Sequence, residues 1–331
     1  MIAKYSEGCL SYFTYNPIPF LAVRFSPKKN SPTGWLAITQ TPSRIDFVHI
    51  ERTAGNLPRA LLAESIACDT DVTTTLAGLK KSLQLANYKL LALLSTGQYQ
   101  FILTDAIEGS PDEVREILRW KLKDQVDFPV DQAAIDFLPV PALGRSPQVI
   151  TIISPEAIVA PLVQSFQSAK LALTAIDVPE LAQRNLAHLL EEEDRGLAML
   201  VFDDTEGLLT FTFAGELLTA RHIEISATQL VAADEARREQ LFERIALDVQ
   251  RSLDNFDRSH SMIPLSRLIV SRIPGVTGYI EHLQNNLSIN VSVLNLTDLL
   301  DLSATPTLLD PQRQFQCLHA IGAALRDETG P

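Results

Sequence analysis

The chain has 331 residues, of which 46% are hydrophobic and 21% charged, and its formal net charge is −12. This length is enough for two domains with separate cores. The acidic balance argues against a protein that binds nucleic acid or adheres strongly to anionic lipid, and no apolar run reaches the roughly 18 to 20 residues that span a bilayer.

The three cysteines, Cys9, Cys68 and Cys317, are far apart and form no CxxC pair. That spacing is typical of free thiols in a reducing compartment, so we expect a cytoplasmic protein. Residues 1–33 are predicted to be an N-terminal appendage and linker, rich in turn residues and lysine near its end. Those lysines could contact lipid headgroups or simply be solvated.

The first part after this linker alternates between strand and helix patterns. Residues 35–39 and 44–50 are predicted to be two strands joined by a turn at Thr41-Pro42-Ser43. Residues 60–67 and 73–86 are predicted to be helices, and residues 89–94 and 98–103 strands.

The stretch 110–141 holds a well-marked helix. Ser110-Pro111-Asp112-Glu113 is a capping box with proline at the first helical position. Apolar residues then recur at three- and four-residue spacing, and we expect the helix to stop near Phe128 because Pro129 cannot continue it. Trp120 lies off the apolar stripe, which leaves two interpretations open, an anchor for a partner or a second packed face.

The alternation continues up to a predicted boundary, after which the second half of the chain restarts the same theme. A strand over 148–153, a helix from Ser154, a strand over 171–176 and a further helix lead to a predicted domain boundary at Arg195-Gly196. Three consecutive strands over 198–223 and a long helix over 227–256 follow, and further elements continue to a closing helix over 314–325. Two halves that each open with strands and then alternate indicate a duplicated α/β architecture.

Several stretches, in this order and spacing, resemble the PilM/MshI family of type IV pilus assembly proteins. They are Gly34-Trp35-Leu36-Ala37-Ile38, Glu116-Ile117-Leu118-Arg119-Trp120, Ile176-Asp177-Val178-Pro179, Gly215-Glu216-Leu217-Leu218, Asp248-Val249-Gln250-Arg251-Ser252-Leu253-Asp254 and Ala320-Ile321-Gly322-Ala323-Ala324-Leu325-Arg326. The resemblance implies an actin-like two-domain fold, as in FtsA, with duplicated mixed sheets and flanking helices. It implies domain I over 34–195 with an inserted subdomain at about 88–175, domain II over 196–326, and a tail over 327–331.

The resemblance also implies a role. Members of this family are cytoplasmic components that dock onto the cytoplasmic tail of an inner-membrane protein similar to PilN, through a short peptide. The pattern is most similar to the MshI type of mannose-sensitive haemagglutinin (MSHA) pili, with the cytoplasmic part of type II secretion protein L as a related alternative. We therefore expect a protein at the inner-membrane face, peripheral to the membrane through its partner.

Actin-like ATPases bind nucleotide with two glycine-containing hairpins and a glycine-rich turn, because backbone amides must approach phosphate oxygens closely. The first hairpin of this chain contains Thr39 and Thr41 where a carboxylate and glycine are expected, and Pro42 removes an amide donor. The second leads to Asp203 and Asp204, and the adenosine turn retains Gly275. Because the key residues are replaced, we expect a fold retained without ATP hydrolysis.

No enzyme motif replaces what is lost. There is no GxSxG, no GxxxxGK(S/T) and no HExxH, and His222, between Arg221 and Glu224, is predicted to lie on a solvent-facing side of a strand. We expect no catalytic residue, no metal and no cofactor. The alternative is a nucleotide-dependent switch or phosphotransferase of the same superfamily, in which Asp203 or Asp204 would bind magnesium with ATP.

Overall fold

A computed structural model of the chain describes residues 32–53, 55–68, 72–141 and 146–327. Nearly all of the predicted N-terminal appendage, residues 1–31, lies outside the described residues, as do residues 328–331 of the predicted tail.

Strands and helices alternate along the described chain, as the sequence pattern predicts. The strands are β1 (Trp35–Gln40), β2 (Arg44–Glu51), β3 (Arg59–Ala67), β4 (Lys89–Leu93), β5 (Gln100–Asp105), β6 (Ala133–Val140), β7 (Gln148–Pro155), β8 (Leu173–Asp177), β9 (Gly196–Phe202), β10 (Gly207–Phe213), β11 (Glu216–Ile223), β12 (Leu265–Val270) and β13 (Val291–Val293). The helices are α1 (Val72–Ser82), α2 (Pro111–Leu122), α3 (Glu156–Ser168), α4 (Pro179–His188), α5 (Ala227–Ala232), α6 (Glu235–Ser259), α7 (Tyr279–Asn286) and α8 (Pro311–Ala324).

The strands form three sheets. Two have five strands each, in the orders β3-β2-β1-β4-β8 and β11-β10-β9-β12-β13, and the third has the order β5-β7-β6. In the first sheet β4 pairs in parallel with both β1 and β8. In the second, β9 and β10 run antiparallel and β12 pairs in parallel with β9 and β13. In each large sheet, three strands that are consecutive in the chain lie beside two strands that are each preceded by a helix. The two sheets therefore share one arrangement, which agrees with the predicted duplication.

The chain divides into two compact units. The first comprises the residues up to Ile45, Ala67–Val178 and the residues from Arg326 onward. The second comprises Asp46–Ile66 and Pro179–Leu325. We call them unit 1 and unit 2. The predicted boundary at Arg195-Gly196 and the predicted domain limits stay predictions.

The three-stranded sheet of unit 1 has its own core under helix α2. Ser110 caps this helix: its hydroxyl accepts the amide of Glu113, and the carboxylate of Glu113 accepts the amide of Ser110 at 2.8 Å. The apolar stripe of the helix packs on one face of the sheet, with a buried cluster of Val114, Leu118, Leu122, Ala133, Ile135, Phe137, Val149 and Ile153. The helix ends at Leu122, earlier than the predicted stop near Phe128.

Two other predicted elements were wrong. Residues 60–67, predicted to be a helix from their leucines, alanines and glutamate, belong to strand β3, where sheet pairing overrides a modest helix propensity. The single helix predicted over 227–256 is two helices, because Ala233 is extended and the side chain of Asp234 accepts the amide of Arg237 to begin α6. The break was missed because the helical spacing of apolar residues continues across it, although polar residues occur at that point in the sequence.

Candidate functional site

The turn between β1 and β2 holds the first candidate residues. The amide of Thr41 donates to the carbonyl of Arg44 at 2.9 Å, and the amide of Arg44 donates to the hydroxyl of Thr41 at 3.1 Å. Pro42 has no amide to donate. Thr39 is half-buried in the last part of β1. The polar groups of Thr41 therefore close the turn on itself instead of pointing toward a ligand.

Asp203 follows β9 and organises its own loop. One carboxylate oxygen accepts the amide of Thr205 at 2.7 Å, the hydroxyl of Thr205 at 2.6 Å and the amide of Glu206 at 2.9 Å. Its backbone carbonyl accepts the amide of Ala227, and the carbonyl of Asp204 accepts the hydroxyl of Thr228 at 2.9 Å. An oxygen with three donors of its own chain is saturated, so a hydrated magnesium ion would have to compete with this loop.

A histidine lies next to the other oxygen of Asp203. The second carboxylate oxygen is 4.0 Å from Nδ1 of His319, a residue of α8. Burial raises the pKa of Asp203, but His319 and the hydrogen bonds from Thr205 and Glu206 outweigh it and hold the pKa below its usual value. The imidazole of His319 thus lies beside the carboxylate oxygen to which a magnesium ion would be attracted.

Gly275 lies in a turn after β12. The amide of Val276 donates to the carbonyl of Ile273 at 3.1 Å, and Gly275 has a φ of +78°, which together with Pro274 is typical of a type II turn. A Cβ at Gly275 would meet no atom within 4 Å. Its glycine is explained by the backbone angle and not by a close approach.

A small cavity of about 20 Å³ lies beside the end of β12. Its lining includes Ser271, Arg272, Leu294, Leu296, Gln314 and Phe315. A space of this size holds about one water molecule. The hydroxyl of Ser271, buried and without a hydrogen-bond partner among the described residues, is a suitable contact for that water.

Helix α4 carries buried polar residues that the sequence pattern did not single out. The side-chain amide of Gln183 donates to the carbonyls of Met199 and Leu208 and to the hydroxyl of Thr210, at 2.6, 3.2 and 2.9 Å. Asn185 donates to the carbonyl of Gly322 at 2.9 Å. The spacing of hydrophobic residues cannot predict these buried polar side chains, because their hydrogen-bond partners are distant in the sequence. These contacts tie the helix to the second sheet and to α8.

His222 has a third of its side chain exposed, and it also contacts two carboxylates that the prediction did not include. Its Nδ1 lies 2.8 Å from a carboxylate oxygen of Glu206 and its Nε2 lies 3.2 Å from one of Glu180. Glu180 is fully buried in the first turn of α4. The hydrogen bonds that His222 donates to both carboxylates raise its pKa to about 10 despite partial burial. The three residues form a structural ion cluster in unit 2.

Trp120 is the one partner-binding candidate from the sequence. It is 68% exposed on α2, next to the 39% exposed Ile117, so the interpretation as a second packed face was wrong. The ammonium of Lys123 lies 5.7 Å from the centre of its ring. An exposed tryptophan is uncommon enough to keep Trp120 as a candidate contact.

Two properties of the described residues concern metals and membranes. Within the described ranges, no three His, Cys, Asp or Glu side chains are grouped so that they could hold a metal ion. In the same part of the chain, every helix is too short or too polar to cross a bilayer.

Known proteins give a match by structure only. No family model and no curated protein matches the sequence. The structure is similar to one described as the PilM-PilN type IV pilus biogenesis complex, with 18% identity and a TM-score of 0.70 over 89% of this chain and 98% of that one. It is also similar to the cytoplasmic domain of EpsL, an inner-membrane component of the type II secretion system of Vibrio cholerae, with 10% identity and a TM-score of 0.50 over 89% and 96% of the two chains.

A Bacteroides thetaiotaomicron protein of unknown function, described as having an actin-like ATPase fold, matches at 11% identity and a TM-score of 0.49 over 85% of this chain and 97% of that one. At identities this low, similarity establishes a fold and no activity. The chain has the actin-like fold with duplicated mixed sheets and flanking helices, and the predicted fold class is confirmed.

Proposed function

We propose that this chain is a non-enzymatic adaptor in the assembly of a type IV pilus, a cytoplasmic protein that docks onto the tail of an inner-membrane partner similar to PilN. The observation that carries the proposal is the structural similarity to PilM, which extends over 98% of that chain. The docking is through a short peptide, and the protein is peripheral to the inner membrane through its partner.

The candidate nucleotide positions support a binding role over hydrolysis. The amide of Thr41 is used within its own turn, one carboxylate oxygen of Asp203 is saturated by its loop, and the other lies 4.0 Å from His319. Gly275 is explained by its backbone angle, and a Cβ there would meet no described protein atom within 4 Å. Because the Thr41 amide and one oxygen of Asp203 are already hydrogen-bonded within their own turns, these positions are poorly suited to phosphate and magnesium, which supports the proposal.

Within pilus systems we propose an MSHA-type component of the MshI kind. The support is the sequence resemblance over 34–326, whose order of motifs is closest to that type. The similarity to the EpsL cytoplasmic domain keeps a type II secretion component of the L kind as the neighbouring hypothesis. The identity of the captured partner separates the two, since one belongs to a pilus and the other to a secretion system.

The second candidate is an ATP-dependent switch that uses Asp203 or Asp204 for magnesium. About a third of the Asp203 side chain is exposed to solvent, which favours this second candidate. Thermal unfolding with and without magnesium and ATP tests it, because a ligand that binds only the folded chain must raise its melting temperature. We expect no shift at millimolar nucleotide. A clear shift that Asp203→Asn removes would establish the switch instead.

Capture from an inner-membrane fraction tests the adaptor. The tagged full chain is expected to retain a PilN-like protein from detergent-solubilised membranes of its own source. The Trp120→Ala variant tests whether Trp120 contributes to the capture. Leu309→Ala is the matched control, since both residues are large and exposed. Recovery of no pilus or secretion inner-membrane protein by the unaltered chain would refute the adaptor role.

A further inference from the structure

The two edges of the three-stranded sheet β5-β7-β6 differ in how they are protected. An edge strand turns every second residue's backbone groups outward, where they can pair with another strand. The amide of Ala106, just past β5, donates to Pro147 on the β7 side, so the even-numbered residues of β5 face β7. The outward backbone groups of β5 therefore belong to Phe101, Leu103 and Asp105.

The β6 edge is blocked. Arg119 donates to the carbonyl of Ala133 at 2.8 Å, and the amide of Phe137 donates to the carboxylate of Asp136 at 3.0 Å. Pro139 has no amide at all. In consequence, charged groups and a proline occupy the outward positions at which a strand would add.

The β5 edge carries none of these devices. Its sequence, Gln100 to Asp105, contains no lysine and no proline, and its single charge lies at its end. Strand β7 is its pairing partner, and no described residue hydrogen-bonds to the outward backbone groups of Phe101 or Leu103. Leu103 is 46% exposed beside them. Open hydrogen-bonding groups next to an exposed apolar side chain form a surface suited to strand addition.

We propose that β5 pairs with β5 of a second copy of this chain, antiparallel, to form a six-stranded sheet across a twofold axis. The strand is self-complementary in one register, which places Phe101 opposite Leu103 of the other copy and Ile102 opposite its own equivalent. Gln100 then lies opposite Thr104, so the pairs over residues 100–104 join polar with polar and apolar with apolar. Asp105 lies opposite Tyr99, so no two equal charges meet. A twofold axis requires this kind of self-complementary patch.

The dependence of binding on salt distinguishes a second copy of the chain from a basic peptide bound at the same edge. Each copy has a formal net charge of −12, so two copies repel at long range and added salt screens that repulsion. Self-association should therefore strengthen as salt rises. A basic extended peptide at the same edge would bind more weakly at high salt.

A pairing built on six residues buries less than the roughly 1,200 to 2,000 Å² of a stable interface, so a weak dimer is expected. Sedimentation of the full chain from low concentration to about 1 mM should show association that strengthens with salt. Leu103→Lys should raise the dissociation constant at least about tenfold. Leu309→Lys, at a leucine that is 57% exposed in unit 2, should leave it unchanged.

Hydrogen exchange locates the contact. The amides of Phe101 and Leu103 should gain protection as concentration rises, and Leu103→Lys should abolish that gain. A chain that remains monomeric throughout the range would overturn the proposal, even if a peptide protected the same amides. Association that Leu103→Lys leaves intact, or that brings no protection to β5, would overturn it equally.

Discussion

His222 shows how a side chain that was predicted on a surface holds a buried carboxylate in place. It lies between Glu180 and Glu206, and Glu180 is fully buried at the start of α4. A buried carboxylate is costly unless a positive or donating partner satisfies it. The imidazolium of His222 serves that purpose, which explains why its pKa is raised to about 10.

This pairing makes stability depend on pH. Because the folded pKa of His222 lies above the unfolded value of 6.5, its contribution is complete below pH 6.5 and is lost as pH rises toward 10. We expect His222→Gln to lower the free energy of unfolding at pH 6 by about 2 kcal/mol. Urea unfolding at pH 6, 8 and 10 should show the difference between the two proteins shrinking with pH. A difference that is constant across this range would contradict the charged pairing.

Tyr279 presents the opposite case, a buried hydroxyl with no hydrogen-bond partner among the described residues. Burial raises the pKa of its phenol, and its ring packs edge-on against Phe202 at 5.7 Å between centroids. We expect Tyr279→Phe to leave stability unchanged or to raise it by up to about 1 kcal/mol, since an unsatisfied group is removed. Tyr279→Ala should cost about 3 to 5 kcal/mol through the cavity it leaves. Calorimetry would contradict this account if the phenylalanine variant were clearly less stable.

At the scale of elements, the packing of α8 on α4 depends on a single glycine. A Cβ at Gly322 would collide with the backbone of Ala182, and the carbonyl of Gly322 accepts the side-chain amide of Asn185 at 2.9 Å. We expect Gly322→Ala to destabilise the protein by about 1 to 3 kcal/mol or more, because backbone cannot yield as a side chain can.

The matched control is Gly78→Ala on α1. A Cβ at Gly78 meets nothing within 4 Å, so alanine should stabilise this helix by about 0.5 to 1 kcal/mol. Denaturant unfolding of both variants measures the contrast. Equal effects at the two glycines would show that helix propensity, and not the approach of α4, governs Gly322.

The sequence predicts elements well where local signals agree. The capping box at Ser110 and the closing helix were predicted from residues close in the chain, and the structure confirms them. Strand β3 was missed because its residues favour helix and only pairing within the sheet holds them extended. Contacts such as Gln183 with Met199 or His222 with Glu180 were beyond reach, because their partners are set by the tertiary fold.

For the molecule as a whole, the duplicated pattern of strands and helices predicted a duplicated α/β architecture, and the resemblance to the PilM/MshI family implied the actin-like fold. The candidate site was predictable only in part. The sequence shows that Pro42 replaces an amide donor, but not that Thr41 closes its own turn or that His319 faces Asp203. Those contacts arise from packing, and they give the proposed loss of nucleotide chemistry a physical basis that motif comparison lacks.

The measurement that bears most directly on this account is a calorimetric titration of the full chain with the cytoplasmic tail peptide of its PilN-like partner. The account predicts saturable binding, no binding of a scrambled peptide of equal composition, and the same affinity with and without magnesium and ATP. Failure of the tail peptide to bind, or binding that appears only with nucleotide, would contradict the claim that this actin-like fold acts as a nucleotide-independent adaptor.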